Sequence, residues 1–183
     1  RACGLQEVQS LTLSNERDQF ENVRWPNEGY VTEIANPITS DHTLLRQYIL
    51  PSLLRLLAAN RHHELPQRVY ELGDVIRDSK NFLRAAWACA EVGSGFTSSK
   101  GIVQALLRDM GAIHDDVEFR PTDAEDGPWI SGRGSHVFIQ DEKIGEFGEI
   151  DPKVSAFFGI KSPIQAGEID LETIYRIIPD PIS

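Results

Sequence analysis

Apolar residues recur with a helical period in some segments of the chain and with a strand period in others. The strongest helical segment spans residues 41–63, where leucines recur at spacings of three and four. These leucines are Leu50, Leu53, Leu54 and Leu57. Because proline is tolerated in a first turn but not in a helix interior, we predict a helix from near Pro51 to near Asn60. A second amphipathic helix is predicted over 97–111, with Gly111 at its end.

Other segments are rich in β-forming residues and alternate between apolar and polar positions, which is typical of strands. The predicted strands are 5–14, 29–37 (ending in a turn at Asn36-Pro37), 67–77, 82–93, 117–121, 135–140, 143–150 and 163–169. Short polar turns join 67–77 to 82–93 and 135–140 to 143–150, so each pair is predicted to form an antiparallel hairpin. A short helix is predicted over 16–23, and the segment 123–134, rich in acids and glycine, is predicted to be a loop.

The tetrapeptide Gly-Glu-Ile-Asp occurs twice, at 148–151 and at 167–170. Asp151 precedes a proline and Asp170 precedes the helical pattern LETIYR, so both aspartates are predicted to cap helices. Alternation places Glu149 and Glu168 on apolar strand faces, where a carboxylate needs a partner. An arginine or backbone N–H groups are the favoured partners. A metal site shared by the two glutamates is the alternative, and no histidine or further acid pattern supports it.

Together these elements predict an α+β fold, with one sheet of mostly antiparallel strands and helices packed against it. Residues 1–183 contain no Pro/Gly/Ser-rich linker and no repeat period, so we interpret them as a single module. The chain begins without methionine and without a signal-peptide pattern, and we expect it to be a fragment of a longer protein.

Charge and composition narrow the function. The net charge is −10, so free nucleic acid is repelled unless a local basic patch overrides the average field; the nearest basic run is NRHHELPQR, with Arg61 and Arg68. No apolar run approaches 18 residues, which argues against a membrane span. Cys3 and Cys89 fit no metal or redox spacing and indicate thiols in a reducing compartment such as the cytosol.

Two local motifs could be ligand-binding sites, but each has a simpler structural interpretation. His62 and His63 could be metal ligands, but adjacent residues on a helix point about 100° apart, which favours a polar helix end. The segment SGRGS (131–135) could hold a phosphate through backbone amides. Without a following helix, a turn is the favoured interpretation.

Four stretches in this order resemble one family: NPITSDHTLLRQYILPSLLRLLAANRHH, QRVYELGDVIR, GRGSHVFI and GEIDPKVSAFFGIKSPIQAGEIDLE. They are similar to the C-terminal module of the phenylalanyl-tRNA synthetase beta subunit, of the archaeal and eukaryotic type. The resemblance extends from Leu5 to Glu172. It implies a class II aminoacyl-tRNA synthetase-like antiparallel sheet flanked by helices, and it places Arg133 at a Gly-Arg position with a structural partner.

The resemblance also implies a role. In this family the alpha subunit carries the active site, and the beta module is a non-catalytic relative that packs against it, usually in an α2β2 assembly. The complete enzyme joins phenylalanine to its tRNA in the cytoplasm using ATP and Mg²⁺. We therefore expect no cofactor bound to this module, contact with tRNA only through the whole enzyme, and no membrane partner.

Amino-acid activation needs positive charge around the ATP phosphates. The resemblance places one phosphate-binding arginine in the hairpin 68–91, where Arg77 and Arg84 are a candidate residual anion site. At the second position the helix start carries Asp170 and Glu172 in place of arginine. We predict a module that does not activate an amino acid, acting as an interaction scaffold. The alternative is a class II-type domain with its own ATP-binding or ligase activity. Direct binding of RNA by the isolated module is a third, weaker reading.

The leucine-rich helix has more apolar residues than one stripe requires. The surplus could face a partner subunit, and in the family the corresponding first class II motif builds the subunit interface. The candidate interface residues are Tyr48, Leu50, Leu53, Leu54 and Leu57. An interior helix covered by its own domain remains the alternative.

Overall fold

The computed structural model describes residues 4–93, 95–112 and 114–178. Nine strands and four α-helices occur in these residues. The strands are β1 (Gln6–Glu7), β2 (Leu13–Ser14), β3 (Leu44–Leu45), β4 (Gln67–Arg77), β5 (Lys80–Ala90), β6 (Val117–Pro121), β7 (Trp129–Ile139), β8 (Glu142–Ile150) and β9 (Ile164–Asp170). The helices are α1 (Leu50–Ala59), α2 (Phe96–Asp109), α3 (Pro152–Phe157) and α4 (Leu171–Ile177). A π-helical segment, Arg17–Glu21, and a 3-10 turn, His114–Asp116, complete the set.

Seven strands form one sheet in the order β1-β4-β5-β9-β8-β7-β6. Every neighbouring pair is antiparallel except β1 and β4, which run parallel. Strands β2 and β3 form a separate antiparallel pair. The α+β architecture with helices against a mostly antiparallel sheet is confirmed.

Each face of the sheet covers its own hydrophobic cluster. On one face α1 and α3 pack over alternate residues of β4, β5 and β9, with Trp25 and Trp129 at the margin. On the other face α2 and α4 pack over Trp87, Cys89 and Phe147. Since a strand points successive side chains to opposite faces, β5 contributes Ala86 and Ala88 to the first cluster and Ala85 and Trp87 to the second. Cys89 is buried, and Cys3 lies outside the described residues.

Local sequence signals explain the helix ends. Pro51 lies in the first turn of α1, where its missing N–H costs no helical hydrogen bond. The Asp151 and Asp170 side chains accept hydrogen bonds from the backbone N–H groups of Lys153 and Thr173 at the starts of α3 and α4. After α3, Gly159 has φ +76°, a left-handed conformation that glycine adopts without a steric penalty. Both copies of Gly-Glu-Ile-Asp are therefore strand ends joined to helix caps.

Three predicted segments depart furthest from the structure. Residues 5–14 form only the two short strands β1 and β2, and within 29–37 a single bridge joins Glu33 to Leu44. Segment 123–134 is not wholly a loop, because β7 begins at Trp129 and contains Gly132-Arg133. The two glycines of SGRGS therefore lie within a strand, where they do not form a phosphate-binding turn.

The irregular N-terminal segment is held by buried polar side chains in place of strand pairing. Arg46 and Glu71 are each 2% exposed and form an ion pair of 2.6 Å, and Glu71 also accepts hydrogen bonds from the backbone N–H and hydroxyl of Ser10. Gln19, fully buried, accepts from the N–H groups of Gln47 and Tyr48. These bonds satisfy backbone groups that a regular strand would have paired with a neighbour.

In the described residues, no helix is long and apolar enough to cross a membrane.

Candidate functional site

A pocket of about 180 Å³ opens at the end of the sheet where β4 and β9 finish and β5 begins. We call it the acidic pocket. Its charged lining residues are Glu28, Asp126, Glu146, Glu168, Asp170, Arg77, Arg84 and Lys143. Its uncharged lining residues are Trp25, Pro26, Tyr48, Ile144 and Gly145. Small-molecule sites usually measure about 300–1,000 Å³, so this pocket is smaller than a typical ligand site.

Glu168 is the most buried acid of the pocket, with 1% of its surface exposed. One carboxylate oxygen accepts hydrogen bonds from the backbone N–H groups of Ile49 and Leu50, at 2.8 and 2.6 Å, where α1 begins. The other accepts from Nε of Arg84 at 2.6 Å. A carboxylate from β9 therefore supplies the negative charge that the N-terminus of α1 and a buried guanidinium both favour. Burial opposes the charge of Arg84, but Glu168 and Asp170 raise its pKa on balance.

The charge of Arg77 is balanced by a different carboxylate, that of Glu28. Its guanidinium forms an ion pair with Glu28 and donates to the Gln47 carbonyl at 3.0 Å. Burial, followed by the nearby Arg84 charge, lowers the pKa of Arg77. Both guanidinium groups lie over the Tyr48 ring, at 5.2 and 5.7 Å from its centroid, in cation–π geometry.

Tyr48 closes the floor of the pocket. Its hydroxyl donates to the Pro26 carbonyl at 2.6 Å, and its ring lies 4.6 Å from that of Trp25. Burial raises the pKa of the phenol, and the Glu28 carboxylate raises it further. The phenol is therefore fixed as a neutral hydrogen-bond donor and is not suited to act as a base near neutral pH.

Glu146 lies directly opposite Glu168 on the neighbouring strand. Two carboxylates in this position repel one another unless each has a cationic or N–H partner. The Glu146 carboxylate accepts hydrogen bonds from Nε1 of Trp129 at 2.9 Å and from Nζ of Lys143 at 2.8 Å. Each acid of the pair is therefore stabilised by its own donors.

This arrangement has a clear chemical consequence. The pocket contains five acidic and three basic side chains, and both arginines are paired with carboxylates of this chain. A triphosphate entering it would meet a net negative lining, which opposes binding. Asp170 and Glu172 occupy the start of α4, and Glu172 accepts a hydrogen bond from the Leu83 N–H at 3.1 Å. Across the described ranges, no group of three or more His, Cys, Asp or Glu residues could hold a metal ion.

The five candidate interface residues lie inside the chain's own core. Tyr48, Leu50, Leu53, Leu54 and Leu57 are between 0 and 4% exposed. Their extra apolar stripe faces the sheet on one side and the segment containing Trp25 and Phe20 on the other. The structure therefore gives them an internal packing role, as the interior-helix alternative supposed. That these side chains themselves meet a partner subunit stays a prediction, and a partner would first reach the outer face of α1, around Arg55.

The two glutamates of the repeated tetrapeptide have different surroundings. Glu149 accepts from Arg133 at 2.8 Å and from the Phe96 N–H at 3.3 Å, on the face covered by α2. Glu168 is directed to the opposite face, beneath α1. A metal site shared by Glu149 and Glu168 is therefore wrong, because the sheet separates them. Each has both an arginine and a backbone N–H as partners.

Sequence reasoning missed Glu28 and Glu146, and it did not anticipate that Arg84 is buried, with 8% of its surface exposed. The predicted hairpin paired 143–150 with 135–140 and gave no register against 163–169, so it did not place Glu146 opposite Glu168. No local signal identified Glu28, which lies in an irregular segment 49 residues before Arg77.

Comparison with known proteins decides the family. Residues 1–171 match the family model described as the phenylalanyl tRNA synthetase beta chain CLM domain. The chain belongs to this family. The match contains all nine strands and the helices α1, α2 and α3 completely, and it ends at Leu171, the first residue of α4.

Individual relatives agree with the family model. The chain is 35% identical over 174 residues to the phenylalanine–tRNA ligase beta subunit of Archaeoglobus fulgidus, covering 94% of this chain and 31% of that protein. The corresponding beta subunit of Methanococcoides burtonii is 36% identical, with coverages of 93% and 31%. That of Pyrococcus furiosus is 39% identical, with coverages of 94% and 31%. The chain thus spans about a third of the length of these relatives.

Proposed function

We propose that this chain, as a single module over residues 1–183, is the class II synthetase-like part of a phenylalanine–tRNA ligase beta subunit and acts there as a non-catalytic scaffold. It would pack against a catalytic alpha subunit in an α2β2 assembly. The whole enzyme would attach phenylalanine to its tRNA, in the cytoplasm, with ATP and Mg²⁺ bound by other parts. The names of the relatives and the family match support the assignment to the ligase.

One observation carries the non-catalytic role. The positive groups that a phosphate would need are already paired within the chain. Glu168 forms an ion pair with Arg84 and accepts hydrogen bonds from the N–H groups at the start of α1, and Glu28 forms an ion pair with Arg77. Opening this site to a triphosphate would require breaking a buried ion pair, which costs about 3–5 kcal/mol. No observation favours the alternative of an independent ATP-binding or ligase activity.

The test uses the full-length protein co-expressed with the alpha subunit. Mass measurement of the purified product reports assembly, and charging of tRNA with phenylalanine reports activity. Arg77→Met removes the more accessible of the two arginines, so a scaffold predicts an unchanged KM for ATP and an unchanged kcat. A tenfold rise in the KM for ATP, with assembly intact, would assign ATP binding to this module and overturn the proposal.

A matched control separates pocket chemistry from general loss of charge. Arg108 lies on α2 with 77% of its side chain exposed, next to Asp109. Arg108→Met removes one guanidinium far from the acidic pocket. If Arg77→Met and Arg108→Met give the same kinetic constants as the parent enzyme, the pocket takes no part in the chemistry.

A further inference from the structure

A second groove lies at the opposite end of the same central strands. It forms where α1 ends, β4 begins, β5 ends and the chain enters β9, and its volume is about 410 Å³. From Arg84 to Ala90, β5 spans six residue steps, so the groove is about 20 Å from the acidic pocket. We call it the basic groove, and the side chains that define it are Arg61, His62, Leu65 and Lys161.

The charges of this groove have one sign. Its two charged lining residues, Arg61 and Lys161, are both basic, and no acidic residue lines it. By contrast, four other cavities among the described residues, including the acidic pocket, each contain at least one carboxylate, and the whole chain has a net charge of −10. A local positive field is therefore present on a protein whose average field repels polyanions.

Arg61 also differs from most other arginines of the chain. Of the twelve arginines in the described residues, ten form an ion pair with a carboxylate. The two others are Arg17 and Arg61, and Arg17 lines a cavity that also contains four acids. Arg61 donates one hydrogen bond to the Ala58 carbonyl at 2.9 Å and is exposed. Lys161 is exposed as well and, within the described part of the chain, forms no ion pair.

The composition of the groove indicates its ligand. Exposed cations held on two separate loops contact the repeating phosphates of a nucleic acid without reading its sequence. His62 adds ring nitrogens that bond a phosphate or a 2′-hydroxyl, while Leu57, Leu65 and Ala90 form an apolar floor for a ribose or base face. An acidic protein segment is the competing ligand. The RNA is favoured because the proposed enzyme must hold a tRNA.

We propose that the basic groove is an RNA-contacting surface of this module, with Arg61 and Lys161 bound to phosphates of the tRNA backbone. This rests on the proposed function as part of a tRNA ligase. It adds a specific contact that the sequence hides, because Arg61 and Lys161 are 100 positions apart. It also specifies where this module would contact the tRNA that the whole enzyme binds.

The experiment measures tRNA affinity of the full-length protein in complex with its alpha subunit, from 50 to 200 mM salt. Each phosphate contact adds about 0.7–0.9 to the slope of log K against log salt concentration. The double variant Arg61→Gln/Lys161→Gln is therefore expected to reduce the magnitude of that negative slope by about 1.4–1.8. The control variant Lys80→Gln/Arg108→Gln removes the same charge from other exposed positions and should leave the slope unchanged.

A second measurement avoids substitutions, because Arg61 also contacts the end of α1. Acetylation of lysines in the unmodified enzyme, followed by mass spectrometry, is expected to show Lys161 protected by bound tRNA and Lys80 unprotected. Equal slopes for the two double variants, or equal acetylation of Lys161 with and without tRNA, would overturn the proposal. So would stronger protection of Lys161 by poly-L-glutamate than by tRNA, which would assign the groove to an acidic protein segment.

These outcomes are distinct from failure of the proposed function. If the enzyme charges tRNA normally but the groove variants bind it like the parent, only the groove assignment fails. If the parent complex neither assembles nor charges tRNA with phenylalanine, the proposed function fails first, and the RNA contact, which depends on it, fails with it.

Discussion

Replacing Glu168 with alanine should destabilise the protein far more than the same change at Glu149. Both glutamates occupy the same place in the repeated tetrapeptide, and each pairs with an arginine and a backbone N–H. Glu168, however, is 1% exposed and its partner Arg84 is 8% exposed. Glu149 pairs with an arginine whose side chain is 58% exposed. Burial, not sequence context, should therefore determine the cost.

The magnitude follows from what the alanine leaves behind. Glu168→Ala leaves the buried Arg84 guanidinium without its counter-charge, which lowers the free energy of unfolding by about 3–5 kcal/mol. It also leaves the N–H groups of Ile49 and Leu50 without their acceptor, which places the loss toward the upper end. At about 2–4 °C per kcal/mol for a domain of this size, the melting temperature should fall by about 6–20 °C. Glu149→Ala loses a surface pair of about 0–1 kcal/mol, or a few degrees at most.

Thermal unfolding followed by circular dichroism measures both variants, and added acetate sharpens the test. The cavity left by Glu168→Ala is lined by a cation and two N–H donors, so acetate should bind there and raise the melting temperature of this variant only. Chloride at the same ionic strength is the control for screening. Equal, small losses in the two alanine variants would refute the reasoning, because they would mean that Glu168 is not the counter-charge of Arg84.

Further results are expected for three features: a buried ion pair, two glycines and a helix cap. Arg46→Leu and Glu71→Leu should each lower the free energy of unfolding, measured in urea, by about 3–5 kcal/mol. The double leucine variant should lower it by less than the sum of the two single losses, and additive losses would contradict a coupled buried pair. Gly148→Ala should destabilise by about 1–3 kcal/mol or more, because the new Cβ would lie 2.2 Å from a carbonyl oxygen of β7. Gly101→Ala, where no atom lies within 4 Å of the new Cβ, should stabilise α2 by about 1 kcal/mol. A less stable Gly101→Ala than Gly148→Ala variant would contradict the packing at these two glycines. Partial burial raises the pKa of Asp151, but its N–H bond and a neighbouring guanidinium lower it on balance. Its charge therefore stabilises the fold above the ordinary aspartate pKa of about 3.9, and the advantage over Asp151→Asn in acid titration should disappear as pH falls through the lowered value; an advantage that stays constant as pH falls would exclude this cause.

Local signals predicted the elements whose stability is decided locally. Strands 67–77 and 117–121 have the predicted bounds, and the helix expected from Pro51 begins one residue earlier, at Leu50. Residues 5–14 and 29–37 have comparable alternation but few strand partners. A strand pattern becomes a strand only beside a neighbour, and here glutamine and arginine side chains satisfy the backbone instead.

The candidate site was less accessible to sequence reasoning because its pairs are distant along the chain. Arg84 and Glu168 are 84 positions apart, and Arg46 and Glu71 are separated by the whole of α1, so no spacing rule identifies either pair. The sequence did indicate that Glu168 needs a partner. It could not say that the N-terminus of α1 would share that carboxylate, since this depends on how the helix crosses the sheet.

The position of β9 in the sheet has a consequence for synthesis on the ribosome. Strands β4–β5 and β7–β8 are hairpins that close within a few residues, but β9 is the strand that joins them, and it is made last. Until residue 170 has left the exit tunnel, the nascent chain carries two separate hairpins with unpaired inner edges, which are prone to pair wrongly with other chains. Glu168 arrives with this same strand, so the charge on Arg84 is neutralised only when the sheet closes. The pairing of β9 with its neighbours and the neutralisation of Arg84 therefore happen in one step. This coupling would make the docking of β9 a cooperative step in the folding of the module.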